Sequence, residues 1–236
     1  MATAFPTLVA EPDPAPIESG SSHQSLRWVG LGWERYLGLL EVRGEKRRPR
    51  IVYLDGDAHL VTTSNIHEFI VDRLSTFVRV VVEELDIPCV ATRETNFKRQ
   101  DQDAGVEPDD SFYLANYRSI AAKFGKEKID MDVDPPPDLA LEIEYANPAK
   151  HAVEILRRLG VPEVWVCKRN GLRFLVLGED GHYAEAERSL SFPFLSVAEV
   201  FEWVERPDMA SSTQWVKELR GWVRDVLVPR VRGQGV

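Results

Sequence analysis

Apolar residues recur at helical spacing over one long stretch of the chain. From Ser64 to Leu85, positions three, four and seven residues apart are mostly Ile, Phe, Leu or Val, so they share one face at about 100° per residue. Ser64 and Asn65 are both favourable N-cap residues, and Glu68 follows Asn65 by three positions. The pattern therefore predicts an amphipathic helix that begins at Ser64 or Asn65 and ends near Leu85.

Shorter patterns along the rest of the chain alternate between strand and helix. Asp55-Gly56 and Asn170-Gly171 are turn dipeptides between apolar runs, and each predicts a β-hairpin. Strands are expected at 50–54, 59–61, 88–92, near 97, and at 111–114, 139–145, 163–167 and 172–177. Helices are expected at 32–40, 147–160, 196–204 and 212–227, whereas 98–105 and 115–134 are polar and irregular. The strand, helix, strand order from 139 to 167 predicts a parallel crossover and hence an α/β sheet.

The predicted strand at 139–145 carries two acids on one face. Side chains alternate along a strand, so Glu142 and Glu144 project together, away from the apolar residues of the other face. Two carboxylates this close repel by about 4 kcal/mol at an effective dielectric of roughly 20. Protonation, pairing with a cation such as Arg73 or Lys150, or binding of a divalent metal ion would relieve that repulsion. A structural ion pair and a metal site are both compatible with the pattern.

A second acidic segment, Glu107-Pro108-Asp109-Asp110, precedes the strand at 111–114. The proline restricts the backbone and leaves Asp109 at the start of that strand. An acid there and another on the adjacent strand could hold one or two metal ions, which activate water and stabilise a phosphoryl transition state. The alternative is that the acidic segment forms only a turn.

Overall charge limits the kind of nucleic-acid contact that the protein can make. The chain has 236 residues, with 29 Lys and Arg against 38 Asp and Glu, for a formal net charge of −9. An acidic protein is a poor candidate for coating nucleic acid over its whole surface, but it can carry a local basic patch. Basic residues cluster from Arg43 to Arg50, as a solvated loop or as phosphate contacts. The candidate contacts are Arg47, Arg48, Arg50, Lys98 and Arg99.

Composition also divides the chain and suggests its compartment. Residues 1–24 are rich in proline and serine, which predicts a disordered tail before a single domain over residues 25–236. Two cysteines suit a reducing compartment, and we find neither a secretory pattern nor a run of about 18 apolar residues. We therefore expect a cytoplasmic protein with no membrane partner. A Trp-rich stripe in the predicted helix at 212–227 favours core packing, with a homodimer surface as the alternative.

Several sequence blocks together resemble a known family. Pro108-Asp109 followed by Glu142-x-Glu144 is similar to the motif of the PD-(D/E)XK nuclease superfamily. The blocks, in chain order, are RPRIVYLDG at 48–56, SNIHE at 64–68, GVEPD at 105–109, PPDLALEIE at 136–144 and LGVPEVW at 159–165. Taken together they resemble the Uma-two family of restriction endonuclease-like proteins, over residues 28 to 228.

The resemblance implies a restriction-endonuclease-like α/β fold, in which helices flank both faces of a mixed sheet, and cleavage of DNA with Mg²⁺ or Mn²⁺. By motif, Asp109 is the acid of the PD element and Glu142 is the acid that follows it. These two side chains would hold the metal together with the backbone carbonyl of Ile143. Glu68, in the long helix, matches an acid that joins the same cluster.

The chain departs from the superfamily pattern at its lysine, because Glu144 stands at that position. Relatives often carry the lysine on the following helix, where the nearest basic residue of this chain is Lys150. The first hypothesis is therefore an Mg²⁺-dependent DNA endonuclease with Asp109, Glu142 and Glu144 around the metal. In it, Glu68 is accessory and Lys150 is an electrostatic partner. The alternative is a catalytically inactive nuclease-fold module that binds nucleic acid or protein.

Overall fold

The computed structural model describes residues 25–44, 46, 48–93, 95–123, 125–144, 150–206 and 211–233. Its helices are α1 (Trp33–Arg43), α2 (Asn65–Glu84), α3 (Tyr117–Ala121), α4 (Lys150–Arg158), α5 (Val197–Glu205), α6 (Ser212–Trp222) and α7 (Val228–Gly233), and a π-helical turn (Val223–Leu227) joins the last two. Its strands are β1 (Ser25–Trp28), β2 (Arg50–Leu54), β3 (Asp57–Val61), β4 (Val90–Ala91), β5 (Phe97–Arg99), β6 (Ala104–Val106), β7 (Asp110–Tyr113), β8 (Leu139–Glu144), β9 (Glu163–Lys168), β10 (Gly171–Leu177) and β11 (Tyr183–Ala186). The expected tail, residues 1–24, lies outside the described residues.

The strands form two sheets. One has five antiparallel strands in the order β1-β3-β2-β6-β5, and the other has six in the order β11-β10-β9-β8-β7-β4. The six-stranded sheet is mixed, because β8 and β9 are parallel while its other neighbours are antiparallel. The predicted mixed sheet and parallel crossover through α4 are confirmed. The separate five-stranded sheet adds to what the sequence pattern indicated.

Helices cover both faces of the six-stranded sheet, as the resemblance implies. On one face, alternate residues of β8 (Leu139, Leu141 and Ile143) join a buried cluster with residues of α2, α5 and α6. On the other face, Ala140 packs with residues of α4 and of the five-stranded sheet. The alternation expected for this strand is therefore confirmed, and Glu142 and Glu144 lie on the face that meets the second sheet.

The long helix α2 begins where its capping residues predict. Ser64 is the N-cap, and its side chain accepts a hydrogen bond from the backbone N–H of His67 at 3.2 Å. Leu74, Phe77, Val78 and Val81 of this helix are fully buried in the core. This packing fixes the orientation of the first turn, so that His67 faces inward and Glu68 faces the solvent.

Some polar segments form structure that the sequence pattern did not predict. The expected loop at 98–105 is instead largely the β5–β6 hairpin, whose Phe97, Ala104 and Val106 are buried. The stretch at 115–134, expected to be irregular, contains the short helix α3. Both segments contain few apolar residues, so they show no hydrophobic period in the sequence. Their structure depends on the burial of one or two of these residues in the fold.

The C-terminal helices pack mainly into the core. Trp215 and Leu219 are buried beside α2 and α5, and Trp222 packs against the same cluster. The interpretation of the Trp-rich stripe as core packing is confirmed for these residues. Across the part of the chain that the structure describes, we find no helix with the length and apolar character needed to span a bilayer.

Candidate active site

A buried arginine lies between two acids where the two sheets meet. Arg50 is the first residue of β2, Asp109 directly precedes β7, and Glu142 is in the middle of β8. One terminal nitrogen of Arg50 pairs with Asp109, and the other lies 3.4 Å from Glu142 Oε2 and also donates to the Glu107 carbonyl. All three side chains are less than 10 % exposed to solvent. The acids are therefore held together by a cation that belongs to the chain itself.

The backbone of β8 holds Asp109 in place. Asp109 Oδ2 accepts a hydrogen bond from the Ile143 N–H at 2.7 Å, and the Asp109 N–H donates to the Leu141 carbonyl at 3.0 Å. The side chain and the main chain of Asp109 thus both contact the strand that carries Glu142. This explains how an acid just before β7 comes to face an acid in the neighbouring strand.

Each acid of the segment 107–110 has an arginine partner from a different element. The pairs are Glu107 with Arg43 of α1, Asp109 with Arg50 of β2, and Asp110 with Arg79 of α2. The segment is thus more than a solvent-exposed turn, because its acids are buried and paired. Asp109 is the acid among them whose carboxylate pairs with Arg50, which also contacts Glu142.

Burial and neighbouring charges shift the pKa values of Glu142 and Asp109 in opposite directions. Burial raises the pKa of Glu142 to about 8, although Arg50 acts in the opposite direction. Burial also acts to raise the pKa of Asp109, but Arg50, His67 and the Ile143 N–H outweigh it and lower that pKa. At neutral pH the Arg50 guanidinium is therefore balanced chiefly by one full negative charge, on Asp109.

His67 connects the buried acids to the protein surface. Its Nε2 lies 3.3 Å from Asp109 Oδ1, and its Nδ1 lies 3.5 Å from Glu68 Oε1. Glu68 is exposed and also accepts from Arg48 and from the Thr63 hydroxyl. The structure therefore brings Glu68 to the rim of the site, separated from Asp109 by the His67 ring.

Glu144 lies on the same face as Glu142 but has a different partner. Lys168, opposite it on the parallel strand β9, lies 2.7 Å from its carboxylate. Arg73, which the sequence offered as a partner for these acids, donates instead to the carbonyls of Val204 and Arg206 at 2.8 Å each. Interpreting Arg73 as the neutralising cation was therefore wrong, and Arg50 takes that role for Glu142.

The basic residues among the candidates differ in their position relative to the acid pair. Lys150 begins α4, but its side chain is outside what the structure describes, as is Arg47. Lys98 and Arg99 lie on β5, the edge strand of the five-stranded sheet, where Arg99 pairs with Asp101. Burial lowers the pKa of Lys98. Of the basic candidates, Arg48 is at the rim of the site and Arg50 is inside it.

Comparison with known proteins identifies the family of the chain. A model of the Uma2 family, which is described as "Putative restriction endonuclease", matches residues 33–210. The chain belongs to the Uma2 family. The match includes every described residue of the candidate site, and it associates the chain with a nuclease function. No curated protein matches the chain significantly.

Among solved structures, this Uma2 chain is similar to a protein from Anabaena variabilis ATCC 29413 that is described as a putative nuclease belonging to DUF820. The two share 18% sequence identity with a TM-score of 0.49. The similarity covers 72% of this chain and 97% of the other.

Two residues of the candidate site, Arg50 and His67, make contacts that the sequence patterns did not predict. Arg50 was expected to contact phosphate, and no contact with the acids was predicted for His67. The signal for Arg50 is that it shares a strand face with Val52 and Leu54, both of which pack inward. A cation on a buried strand face requires an acidic partner. No comparable local signal identifies the contact between His67 and Asp109.

Restriction endonuclease-like families generally use divalent metals, and the acids of this site are the candidate ligands for such an ion. Within the described ranges, no three His, Cys, Asp or Glu side chains converge on a common point. Mg²⁺, however, is commonly bound by one or two carboxylates together with waters and substrate phosphates. Glu142 Oε1 is buried and has no hydrogen-bond partner among the described residues, so it is a free donor beside Asp109. The two acids therefore fit one such ion, at the position where Arg50 now supplies the positive charge.

Proposed function

We propose that this chain is an Mg²⁺- or Mn²⁺-dependent endonuclease that hydrolyses phosphodiester bonds in DNA. The observation that carries the proposal is the buried pair of acids, Asp109 and Glu142, on adjoining segments of the six-stranded sheet. Arg50 supplies the cation that these buried carboxylates need in the metal-free chain, and Glu142 Oε1 is left without a hydrogen-bond partner among the described residues. The Uma2 match supports a nucleic-acid phosphodiester as the substrate.

In this function Asp109 and Glu142 would hold the metal, together with the backbone carbonyl of Ile143. The chemistry that a divalent ion would supply there is activation of water and stabilisation of the negative charge that develops on the phosphate. The Ile143 N–H keeps Asp109 aimed at the site by its hydrogen bond of 2.7 Å. His67 packs on the other oxygen of Asp109, so that carboxylate has little rotational freedom.

Two further carboxylates, Glu144 and Glu68, have separate roles in the proposed reaction. Glu144 shares the strand face of Glu142, and Lys168 holds its carboxylate at 2.7 Å. Glu68 lies at the solvent-exposed rim, beyond the His67 ring. We assign the deprotonation of the attacking water to Glu144 and a supporting role, orientation of His67, to Glu68. Lys150, at the start of α4, is the electrostatic partner on the following helix.

Basic residues outside the acid pair would contact the DNA backbone. Arg48 is adjacent to Glu68 at the rim, and Lys98 and Arg99 lie on β5. With Arg47, they form the proposed phosphate-contacting set, while Arg50 reaches phosphate only from inside the site. Phosphate contacts release counterions, so affinity for DNA would fall steeply as the salt concentration rises.

Cleavage of a supercoiled plasmid tests the proposal. Wild-type protein is expected to nick or linearise the plasmid with Mg²⁺ or Mn²⁺ and to lose activity in EDTA. Asp109→Asn and Glu142→Gln are expected to abolish cleavage while circular dichroism shows that they remain folded. Glu185→Gln, which alters an exposed acid paired with Arg173, is the matched control and keeps full activity. Cleavage that persists in EDTA, or in folded Glu142→Gln protein, contradicts the proposal.

A second function is favoured by one observation, the position of Arg50 between the acids. A chain whose acid pair is permanently neutralised by its own arginine would be a nuclease-fold module that binds nucleic acid without cutting it. Fluorescence anisotropy with a labelled duplex distinguishes the two functions. Equal affinity in EDTA and in Mg²⁺, together with no cleavage, supports the binding module, whereas metal-dependent affinity with cleavage supports the endonuclease.

A further inference from the structure

The contacts of Arg50 are unequal on its two sides. Its Nη1 pairs closely with Asp109, whereas its Nη2 is shared between the Glu107 carbonyl and Glu142, with 3.4 Å to Glu142 Oε2. Its Nε is buried and makes no hydrogen bond with any residue that the structure describes. The guanidinium is therefore anchored at Asp109 and only loosely bound at Glu142.

Glu142 also has a side-chain atom whose hydrogen bonding is incomplete. Its Oε1 is buried and lacks a hydrogen-bond partner within the described part of the chain. A buried polar atom without a partner costs free energy, and so does a buried charge whose contacts are incomplete. The cluster of Asp109, Arg50 and Glu142 is consequently not a fully satisfied structural ion pair, and a ligand that satisfies Glu142 would improve it.

We infer that Arg50 is a displaceable internal cation, which holds the acid pair in the metal-free protein and competes with the divalent ion for it. The inference rests on the metal site of the proposed function. Arg50 and a divalent ion would both occupy the space between Asp109 and Glu142, and like charges at that distance in a buried site repel strongly. Binding of the ion therefore requires the guanidinium to leave at least one of the acids.

A phosphodiester offers Arg50 a new partner when it leaves. The guanidinium binds a phosphate through two parallel hydrogen bonds, and it stays charged throughout. Metal and nucleic acid thus assist each other, because the phosphate draws Arg50 away from the acids that the metal needs. This chain has Glu144 at the position of the motif lysine, so it lacks that cation. Arg50, at the start of β2, would then supply a positive charge at the phosphate.

Isothermal titration of the metal-free protein with Mn²⁺ tests the competition directly. Arg50→Met removes the charge from a side chain of similar length, and this variant is expected to bind Mn²⁺ at least tenfold more tightly than the wild type. Arg50→Lys keeps a charge that cannot span both acids, and an intermediate affinity is expected. Arg79→Met is the matched control, because Arg79 pairs with the neighbouring Asp110 at 2.6 Å and should leave the affinity unchanged.

A second titration isolates the coupling to nucleic acid. Ca²⁺ affinity is measured with and without a 12-base-pair DNA duplex, for the wild type and for Arg50→Met. The duplex adds a phosphate ligand in both proteins. Any difference between the two proteins in the factor by which the duplex increases Ca²⁺ affinity is therefore due to Arg50. We expect the duplex to strengthen Ca²⁺ binding by a severalfold larger factor in the wild type than in the variant, as reciprocal coupling requires.

Folded Arg50→Met and Arg50→Lys proteins that bind Mn²⁺ no more tightly than the wild type would overturn the inference. If Arg50→Met does not fold, Arg50→Lys decides the question by the same criterion. The proposed function fails separately. Tighter metal binding by the Arg50 variants with no DNA cleavage by the wild type contradicts the function alone. Metal-dependent cleavage with equal affinities across the variants contradicts the inference alone.

Discussion

The Asp109 carboxylate accepts a hydrogen bond from the Ile143 backbone N–H at 2.7 Å while its other oxygen pairs with Arg50. Asparagine has a single acceptor oxygen, so Asp109→Asn must leave either Arg50 or the Ile143 N–H without its acceptor. We expect the free energy of unfolding to fall by about 3 kcal/mol, as for other broken buried ion pairs. Urea unfolding followed by circular dichroism measures this loss.

The control for that variant is Asp101→Asn, which alters an exposed acid paired with Arg99. Exposed ion pairs contribute little to stability, so the urea midpoint of this control should match that of the wild type. A loss of stability below about 1 kcal/mol in Asp109→Asn would contradict a structural contribution from the buried pair.

Stability should depend on pH through Glu142. Burial raises its pKa from the usual 4.5 to about 8, so the folded protein holds a proton that the unfolded chain releases above pH 4.5. The contribution of this proton to stability is complete below pH 4.5 and is lost as the pH rises through about 8. The slope is at most about 1.4 kcal/mol per pH unit.

Glu142→Gln isolates this effect, because glutamine has no proton to lose. Urea unfolding at pH 5, 6, 7 and 8 should show the wild type losing stability relative to the variant across this range. Asp109, whose pKa is lowered, titrates in the acid range and affects both proteins alike. Parallel profiles for the two proteins would show that Glu142 is already ionised at pH 5 in the folded state.

Glu163 is expected to matter for folding rather than for the candidate site. Its carboxylate is fully buried and accepts from Trp165 Nε1 at 2.8 Å, the Ser189 hydroxyl at 3.2 Å, and the Leu190 and Ser191 N–H groups at 3.0 and 2.8 Å. Glu163→Ala strands these donors, and we expect a loss of about 3 kcal/mol or more.

The measurement for Glu163→Ala is again urea unfolding, combined with Mn²⁺ titration of the folded fraction at low temperature. Metal affinity should equal that of the wild type, because Glu163 lies at the other end of β9 from Lys168 and the acid pair. A change in metal affinity without a change in stability would place Glu163 in the site, against expectation.

Gly105 is required by the close approach of Tyr36. A methyl group at this position would lie 2.2 Å from the Tyr36 hydroxyl and 2.7 Å from Cζ of its ring. Tyr36 cannot move away easily, since it is fully buried and stacks on Tyr53 with 4.5 Å between ring centroids. We expect Gly105→Ala to reduce the free energy of unfolding by about 2 kcal/mol.

Gly171→Ala is the matched control for this steric prediction. It also lies in a strand, but no atom of the described residues, apart from its own chain neighbours, lies within 4 Å of the added methyl group. Differential scanning calorimetry should show a clear fall in melting temperature for Gly105→Ala and almost none for Gly171→Ala. Equal melting temperatures for the two variants would indicate that β6 shifts to accommodate the methyl group.

The sequence predicted best the helices and strands whose apolar residues recur at a regular helical or strand spacing. The helix α2 and the unit β8–α4–β9 have regular apolar faces and clear turn or cap residues, so their type and approximate bounds could be derived locally. The alternation in β8 also placed Glu142 and Glu144 on one face. Asp109 could be placed near them only through the resemblance of Pro108-Asp109 to the nuclease motif, because it is far from Glu142 in the sequence.

The sequence could not predict how distant elements combine. Arg48 and Arg50 are the same residue type two positions apart, yet one meets Glu68 at the rim and the other is buried with Asp109. Arg48 precedes β2 whereas Arg50 is its first residue, so the difference depends on where the strand begins against the six-stranded sheet, and packing between the two sheets decides that. The β5–β6 hairpin was missed for the same reason, since its burial comes from contacts with residues far away in sequence.

The acid pair and its arginine belong to different sheets. Asp109 and Glu142 are attached to the six-stranded sheet, whereas Arg50 begins β2 in the middle of the five-stranded one. The ion pair therefore also links the five-stranded sheet to the six-stranded sheet. Anything that draws Arg50 from its acids loosens β2, and with it β3 and β1, which follow β2 in that sheet. Amide hydrogen exchange along these strands would then report whether the site is filled, far from the site itself.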